Sequence, residues 1–282
     1  MIPVFEILHP GLFTSYQDMG RSGFLSYGIS HCGVMDKRLA ASTNLELGNP
    51  ISAPLIEFAH LPPKMKVLSA TKLAIRGVSC EIRVDDEIRN SPLAVNPGQI
   101  ISIKMMAGVY GYLGIPGGFF AKEEYGSVSY HALTKIGGGK IEKGDIIKRN
   151  EKQSENKTNN SSSLKLPSYE SELIRCHRSV EFSIFEEDKM TSFLSSQHEV
   201  LGESNRMGIQ LRPLNPLVHQ KSIISSPVLP GTIQLPPSGN IIVLGNDGQS
   251  IGGYPRIAMV AKNDMAVLAQ KRPGEKIRFV LL

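Results

Sequence analysis

The chain has 282 residues, including 27 glycines and 18 prolines, and its aromatic content is 6% with no tryptophan. This length excludes the mini-protein classes, and the glycine and proline content favours many turns and short elements. The net charge of +5 is spread along the chain and apolar runs reach only about five residues, so neither nucleic-acid binding nor membrane insertion is expected.

The N-terminus carries no basic region and meets Glu6 before any apolar stretch could form, so a signal peptide is not expected. Cys32, Cys80 and Cys176 are odd in number and widely spaced, which favours reduced thiols over a disulfide framework. We therefore expect a soluble, cytoplasmic protein.

In the first half of the chain, the sequence predicts one helix and several strands. Asp36 suits a helix N-cap, and Gly48 followed by Pro50 suits its end. Alternation of polar and apolar residues predicts strands at residues 64–68 and 81–85.

A polar segment divides the chain. Residues 151–163, EKQSENKTNNSSS, contain no apolar side chain, which is typical of a flexible linker. We predict one domain over residues 1–150, a linker over 151–166 and a second domain over 167–282.

The second half also indicates β structure with short helices. Residues 241–244 suit a buried strand and residues 276–280 alternate, while weaker helix patterns cover residues 187–197 and 264–270.

One turn pattern recurs in both halves. The tetrapeptides NPGQ, EKGD and RPGE, which begin at Asn96, Glu142 and Arg272, each precede an apolar strand pattern. Glycine at the third position predicts a type II turn, because this position requires positive φ. The repeat favours two related β-barrel or sandwich domains, although such turns are common in β proteins generally.

Several familiar sites are excluded by spacing. The segment from Gly137 to Lys140 lacks the first glycine and the hydroxyl residue of a Walker A motif. The His–Cys pairs at residues 31–32 and 176–177 are adjacent, which suits shared metal ligation poorly, and we expect no metal site. Lys66 lacks the flanking residues of a biotinylation loop, so covalent biotin is not expected.

Polar side chains embedded in glycine-rich turns are the unusual feature. They occur at residues 14–21, 203–208, 231–234 and 246–255. Side chains held rigidly beside exposed backbone N–H groups can form a pocket for an anion or an amide. The alternative is that Asn, Asp and Gly serve there only as turn formers.

The same turns carry a family resemblance. The chain resembles the allophanate-hydrolase subunit 2 family, also described as carboxyltransferase subdomains A and B, which includes the C subunit of bacterial 5-oxoprolinase, KipA-type regulators and a segment of urea carboxylase. The resemblance runs nearly end to end and is carried by residues 10–24 (PGLFTSYQDMGRSGF), 33–50 (GVMDKRLAASTNLELGNP), 126–130 (GSVSY), 204–211 (SNRMGIQL), 230–239 (PGTIQLPPSG), 246–258 (NDGQSIGGYPRIA) and 270–279 (QKRPGEKIRF).

The resemblance implies a mainly β fold of two cyclophilin-like β-barrel domains with a few short helices. It implies a subunit 1 (KipI/PxpB-like) partner and, in the oxoprolinase, a LamB/YcsF-type subunit. Because the chain contains neither a biotin carboxylase nor a biotin carrier, ATP-dependent hydrolysis of a small lactam or amide is favoured, with ATP and Mg²⁺ shared with partner subunits. A non-catalytic KipA-type regulator and a biotin-dependent carboxyltransferase component remain as alternatives.

The chain departs from the family pattern at several positions. Val128 and Gly248 stand where arginine is usual, Ser250 where threonine is usual, and Asn205 where aspartate is usual. Arginine supplies forked, permanently charged donors, so these changes are expected to weaken anion capture or shift the substrate.

On these motifs we expect a hydrolase subunit that acts only with its partners. Acid–base roles are assigned to Asp247 or Asp18, and carbonyl binding to Gln234, Gln249 and the backbone around Gly252. The full candidate set comprises catalytic Asp247, Gln249 and Asp18, and substrate-binding Gln17, Arg21, Asn205, Arg206, Gln234, Gly252, Gly253 and Tyr254.

Overall fold

A computed structural model describes residues 1–150 and 164–282; residues 151–163 of the predicted linker lie outside the described residues. The chain divides into two compact units. Unit 1 comprises Met1–Arg21 and Cys32–Leu166, and unit 2 comprises Ser22–His31 and Pro167–Leu282. The second unit therefore includes a short segment from early in the chain.

The described residues of unit 1 form two antiparallel sheets and one α-helix. Its elements are β1 (Ile2–His9), β2 (Ser15–Gln17), α1 (Lys37–Glu46), β3 (Leu55–Ala59), β4 (Lys64–Val67), β5 (Thr71–Arg76), β6 (Ser79–Val84), β7 (Glu87–Arg89), β8 (Leu93–Val95), β9 (Ile100–Ala107), β10 (Tyr110–Gly114) and β11 (Ile146–Arg149). The strand orders are β11-β1-β4-β9-β6-β7 and β2-β3-β10-β5-β8. Both sheets contribute to one apolar core, in which Phe5, Phe58, Ile101 and Leu113 are buried.

Helix α1 begins where the sequence predicts. The Asp36 side chain accepts hydrogen bonds from the backbone N–H groups of Arg38 (3.1 Å) and Leu39 (3.0 Å), as an N-cap does. The Asp36 N–H donates to the Tyr112 hydroxyl, which in turn donates to Glu57 at 2.9 Å. This buried network fixes the start of the helix to the five-stranded sheet.

Unit 2 is a closed barrel. Its elements are β12 (Leu173–Arg178), α2 (Glu187–Ser195), β13 (His198–Val200), β14 (Gly208–Pro213), β15 (Ser226–Pro227), β16 (Thr232–Gln234), β17 (Ile241–Leu244), β18 (Ile251–Gly252), β19 (Arg256–Val260), α3 (Met265–Ala269) and β20 (Lys276–Leu281). The barrel order is β12-β19-β16-β17-β14-β13-β20, closed by the parallel pairing of β20 with β12, and β15 pairs separately with β18. The predicted mainly β fold with a few short helices is confirmed.

The three repeated turns share one hydrogen-bond arrangement. Gly98, Gly144 and Gly274 have φ of 91°, 88° and 87°, as the type II prediction requires. In each turn the fourth residue donates to the first carbonyl, and the glycine N–H donates to a strand carbonyl, that of Val67, Ile7 or Val200. The side chain of the fourth residue also accepts the N–H of the first.

Among the described residues, no helix has the length and apolar character needed to cross a bilayer.

Candidate functional site

In unit 1, Asp18 organises the loop that contains Ser127 and Ser129. Its carboxylate accepts hydrogen bonds from both serine hydroxyls at 2.6 Å, and from the backbone N–H groups of Gly20 (2.8 Å) and Val128 (2.9 Å). Both carboxylate oxygens are therefore occupied by donors that hold this loop in place.

Gln17 and Arg21, which precede and follow Asp18 in the sequence, hydrogen-bond to the same loop. The buried Gln17 amide donates to the Ser15 hydroxyl and to the Tyr130 carbonyl, both at 3.0 Å. Arg21 is 2% exposed and donates through Nη2 to the Ser129 carbonyl at 2.5 Å. The structure thus brings three predicted site residues of unit 1 together around residues 127–130.

In unit 2, Arg206 and Asp247 form a forked ion pair. The Nε and Nη2 atoms of Arg206 each lie 2.8 Å from a separate carboxylate oxygen of Asp247, and the two side chains are 13% and 4% exposed. The Asp247 N–H also donates to the Arg206 carbonyl at 3.0 Å. This pair joins the turn before β14 to the turn after β17, which leads to Gln249.

The Asn205 side chain bonds to the backbone of its own turn. Its oxygen accepts from the Met207 N–H at 2.8 Å, and its nitrogen donates to the Glu203 carbonyl at 3.1 Å. This is an Asx-type turn, in which the side chain mimics backbone. The amide therefore shapes the turn that presents Arg206.

Gln234, Gln249 and Gly252 form what we call the glutamine corner. Gln234 ends β16 with its side chain fully buried, and its oxygen accepts from the exposed Gln249 amide at a long 3.4 Å. Its nitrogen, Nε2, is buried without a hydrogen-bond partner among the described residues. A Cβ atom on Gly252 would lie 2.4 Å from that nitrogen, so only glycine leaves room beside it.

Gly253 and Tyr254 follow directly on the chain. The Gly253 carbonyl accepts from the Ile223 N–H at 3.3 Å, and Tyr254 is 42% exposed. Gly253 is therefore next to the glutamine corner in sequence, and Tyr254 is partly exposed.

The candidate residues are divided between the two units. Asp18, Gln17 and Arg21 lie in unit 1, whereas the other eight candidates lie in unit 2. The sequence motifs led to no expected role for Ser127 and Ser129, although both lie within a motif that carries the family resemblance. The alternation of Ser127 and Ser129 within that motif was the available signal.

Two of the positions that depart from the expected family pattern, Val128 and Gly248, are buried. The Val128 side chain is buried in unit 1. At Gly248 a Cβ would lie 3.0 Å from the Met207 carbonyl oxygen and 3.1 Å from that of Gly245. A larger residue there would require the neighbouring backbone to move.

The glutamine corner suits a neutral amide better than a triphosphate. The Arg206 charge is neutralised by Asp247, and charged donors such as arginine form the strongest hydrogen bonds to phosphate. Within residues 1–150 and 164–282, no group of three or more His, Cys, Asp or Glu side chains is arranged to hold a metal ion. The chemistry available here is hydrogen bonding to a carbonyl from a preorganised donor.

Comparisons with known proteins agree with one another. The sequence model described as "Carboxyltransferase domain, subdomain A and B" matches residues 27–281. The C subunit of the 5-oxoprolinase of Escherichia coli (strain K12) is 32% identical over 285 residues, which cover 98% of this chain and 91% of that protein. The urea amidolyase of Lachancea kluyveri is 30% identical, and its match covers 98% of this chain but 17% of that protein.

A solved structure gives the same result for the fold. The crystal structure of the Kluyveromyces lactis urea carboxylase is 27% identical and superposes with a TM-score of 0.88. The match covers 100% of this chain and 28% of that one, so the chain spans less than a third of that enzyme's length.

Proposed function

Because the chain belongs to the family of carboxyltransferase domains with subdomains A and B, we propose that it corresponds to the C subunit of an ATP-dependent 5-oxoprolinase-type complex. Such a complex hydrolyses the C–N bond of a small lactam or amide. The near full-length similarity to two bacterial proteins named as the C subunit of 5-oxoprolinase supports this choice over the other members of the family.

The observation that carries the proposal is the unpartnered nitrogen of Gln234. A buried donor without an acceptor costs about 1–3 kcal/mol of folding stability, so its retention calls for an acceptor supplied by a ligand. This nitrogen faces Gly252, where an added Cβ would lie 2.4 Å away. A lactam carbonyl oxygen is such an acceptor, and negative charge develops on that oxygen during hydrolysis.

Each neighbouring group has a role in this proposal. Gln234 donates to the substrate carbonyl, and Gln249 holds the Gln234 amide in its orientation through the 3.4 Å contact. The Arg206–Asp247 pair positions the turn that carries Gln249. Asp247 is thus a positioning residue in this scheme rather than the acid–base group.

Further components come from partner subunits in this proposal. A subunit 1 (KipI/PxpB-like) protein and a LamB/YcsF-type subunit assemble with the chain, and the ATP and Mg²⁺ are shared with them. ATP supplies the driving force for opening the lactam. No covalent biotin is involved.

The test compares two adjacent glycines in the reconstituted complex. In Gly252→Ala the new Cβ displaces the Gln234 amide, which is the end of a flexible side chain, so the fold is retained. In Gly253→Ala the nearest atom, the Ser225 hydroxyl, lies 3.3 Å from the new Cβ. We expect glutamate release from 5-oxoproline to fall by about 10²-fold in the first variant, the usual effect of losing one oxyanion donor, and to change little in the second.

A substitution of Gln234 itself distinguishes a loss of turnover from a loss of folding. Gln234→Leu removes the unpartnered amide, so we expect thermal stability to be retained or raised while turnover falls. Equal turnover in Gly252→Ala, Gly253→Ala and wild type would overturn the proposed site. A wild-type complex that assembles but does not turn over would overturn the hydrolase proposal in favour of a KipA-type regulator.

Carboxyl transfer is the second candidate function, favoured by the similarity to urea amidolyase and urea carboxylase. Urea is also a planar amide, so the same corner suits it. Carboxylation of urea by the chain together with a separate carboxylated biotin carrier, without lactam hydrolysis, would support this candidate.

A further inference from the structure

The Arg21 guanidinium in unit 1 is a buried charged group, and two of its nitrogen donors lack hydrogen-bond partners among the described residues. The residue is 2% exposed, and its Nη2 donates to the Ser129 carbonyl. Its Nε and Nη1 atoms are buried and have no hydrogen-bond partner among the described residues. Arginine remains protonated in proteins, so this site carries a full positive charge.

Other arginines in the described residues show how this chain ordinarily satisfies such a group. Three of them place both Nε and Nη2 against the two oxygens of one carboxylate, at distances of 2.5–3.0 Å: Arg175 with Asp264, Arg206 with Asp247, and Arg256 with Glu181. All three side chains are more exposed than Arg21, at 52%, 13% and 20%. The most buried of the four is the one that lacks a carboxylate.

The nearby carboxylates are already engaged. Glu124 accepts from the Lys122 ammonium and the Gly137 N–H, each at 2.8 Å. Its pKa is lowered mainly by the Lys122 hydrogen bond, then by that of Gly137, with a smaller effect from the charge of Arg21. Asp18 accepts from four other donors. Neither carboxylate pairs directly with the guanidinium.

We propose that Arg21 forms a binding site in unit 1 for a small oxyanion, a carboxylate or a phosphate. A buried charge without a partner is costly, and forked guanidinium donors match the oxygens of these two anions. The inference goes beyond the proposed function and does not depend on it.

The test measures the melting temperature of the full chain against anion concentration. Sodium acetate and sodium phosphate are the probes, each compared with sodium chloride at equal ionic strength. Binding to the folded state alone raises the melting temperature in a saturable way. We expect a rise on the order of 2–4 °C near saturation, from general stability scaling. A response to acetate alone assigns the site to carboxylates, and a response to phosphate alone assigns it to phosphate.

Single substitutions test whether the response arises at Arg21. Arg21→Met should abolish it, whereas Arg89→Met, which removes the same charge from an exposed position in unit 1, should retain it. Gln234→Leu should also retain it, which keeps this test separate from that of the glutamine corner. If Arg21→Met does not fold, Arg21→Lys, which lacks the fork, should weaken the response at least tenfold in anion concentration.

The proposal is overturned if wild type shows no saturable response to either anion. It is also overturned if a folded Arg21 variant responds at the same anion concentrations as wild type.

Discussion

Asp18 and Asp247 illustrate how occupied lone pairs limit the chemistry of a side chain. Each carboxylate has both oxygens engaged by donors from its own unit. A general base needs an oxygen within reach of the proton that it abstracts. The two aspartates are therefore better suited to fixing loops, whereas the Gln234 amide in unit 2 has a buried nitrogen without a hydrogen-bond partner among the described residues.

His198 in β13 is a buried residue whose pKa affects the stability of the fold. Its ring is fully buried, with centroids 5.5 Å from Phe193 and 5.4 Å from Phe279, and Nε2 donates to the Leu194 carbonyl at 3.2 Å. Desolvation is the main cause that lowers the His198 pKa below its ordinary value of 6.5, and the hydrogen bonds to Leu194 and Phe193 oppose it.

This lowered pKa predicts that unfolding free energy falls in acid. Below about pH 6.5 the unfolded chain binds a proton at residue 198 that the folded protein does not, so stability decreases as pH falls through this range. One such proton contributes at most about 1.4 kcal/mol per pH unit. Urea unfolding at pH 5.0–7.0 should show a smaller slope in His198→Leu than in wild type.

The control for this prediction is His177→Gln, since His177 is exposed on β12. Its pH slope should match that of wild type. An unchanged slope in His198→Leu would assign the acid sensitivity to other groups.

The repeated turns show how much an element can depend on one backbone angle. The three glycines at φ near 90° each allow the chain to reverse and pair with a strand through the same hydrogen bonds. A side chain at such an angle is strained even where space is available.

Two glycines of unit 2 allow backbone strain to be tested in the absence of steric crowding. A Cβ at Gly274 or at Gly202 would meet no atom within 4 Å, but only Gly274 has positive φ. Gly274→Ala should therefore lower the unfolding free energy by about 1–2 kcal/mol, while Gly202→Ala should be neutral or slightly stabilising. Chemical denaturation measures both, and equal effects would contradict the strain argument.

Caps and turns could be predicted from the sequence, because local chemistry determines where they form. The Asp36 cap and the glycine turns were predictable, because a capping carboxylate and a positive φ each require particular residue types. The open donors of Gln234 and Arg21 were not predictable as such. They result from packing among residues far apart in sequence, which leaves no periodic or spacing signal.

At the scale of the whole molecule, the assignment of Ser22–His31 to unit 2 is the main departure from a linear reading of the chain. The predicted division at residues 151–166 rested on composition, which reports only local properties. The Ser30 hydroxyl donates to the Gly248 carbonyl at 2.7 Å in a buried contact. This early segment thus supports the turn that precedes Gln249.

Removing that contact should affect residues more than 200 positions away in sequence. Ser30→Ala leaves the Gly248 carbonyl without this donor, at a cost of about 1–3 kcal/mol if it stays buried. Hydrogen exchange of the backbone amides at residues 245–248 should accelerate, while that of strands β3 and β10 should not. Unchanged exchange at residues 245–248 would show that the segment does not support the turn.

The path of the chain also restricts how its gene could be divided. It leaves unit 1 after Arg21, returns at Cys32 and enters unit 2 again at Pro167. Fission or recombination at the 166/167 junction would therefore deprive unit 2 of the ten residues 22–31. Swapping second halves between homologous genes would preserve this packing only if both parents encode compatible versions of that short insert.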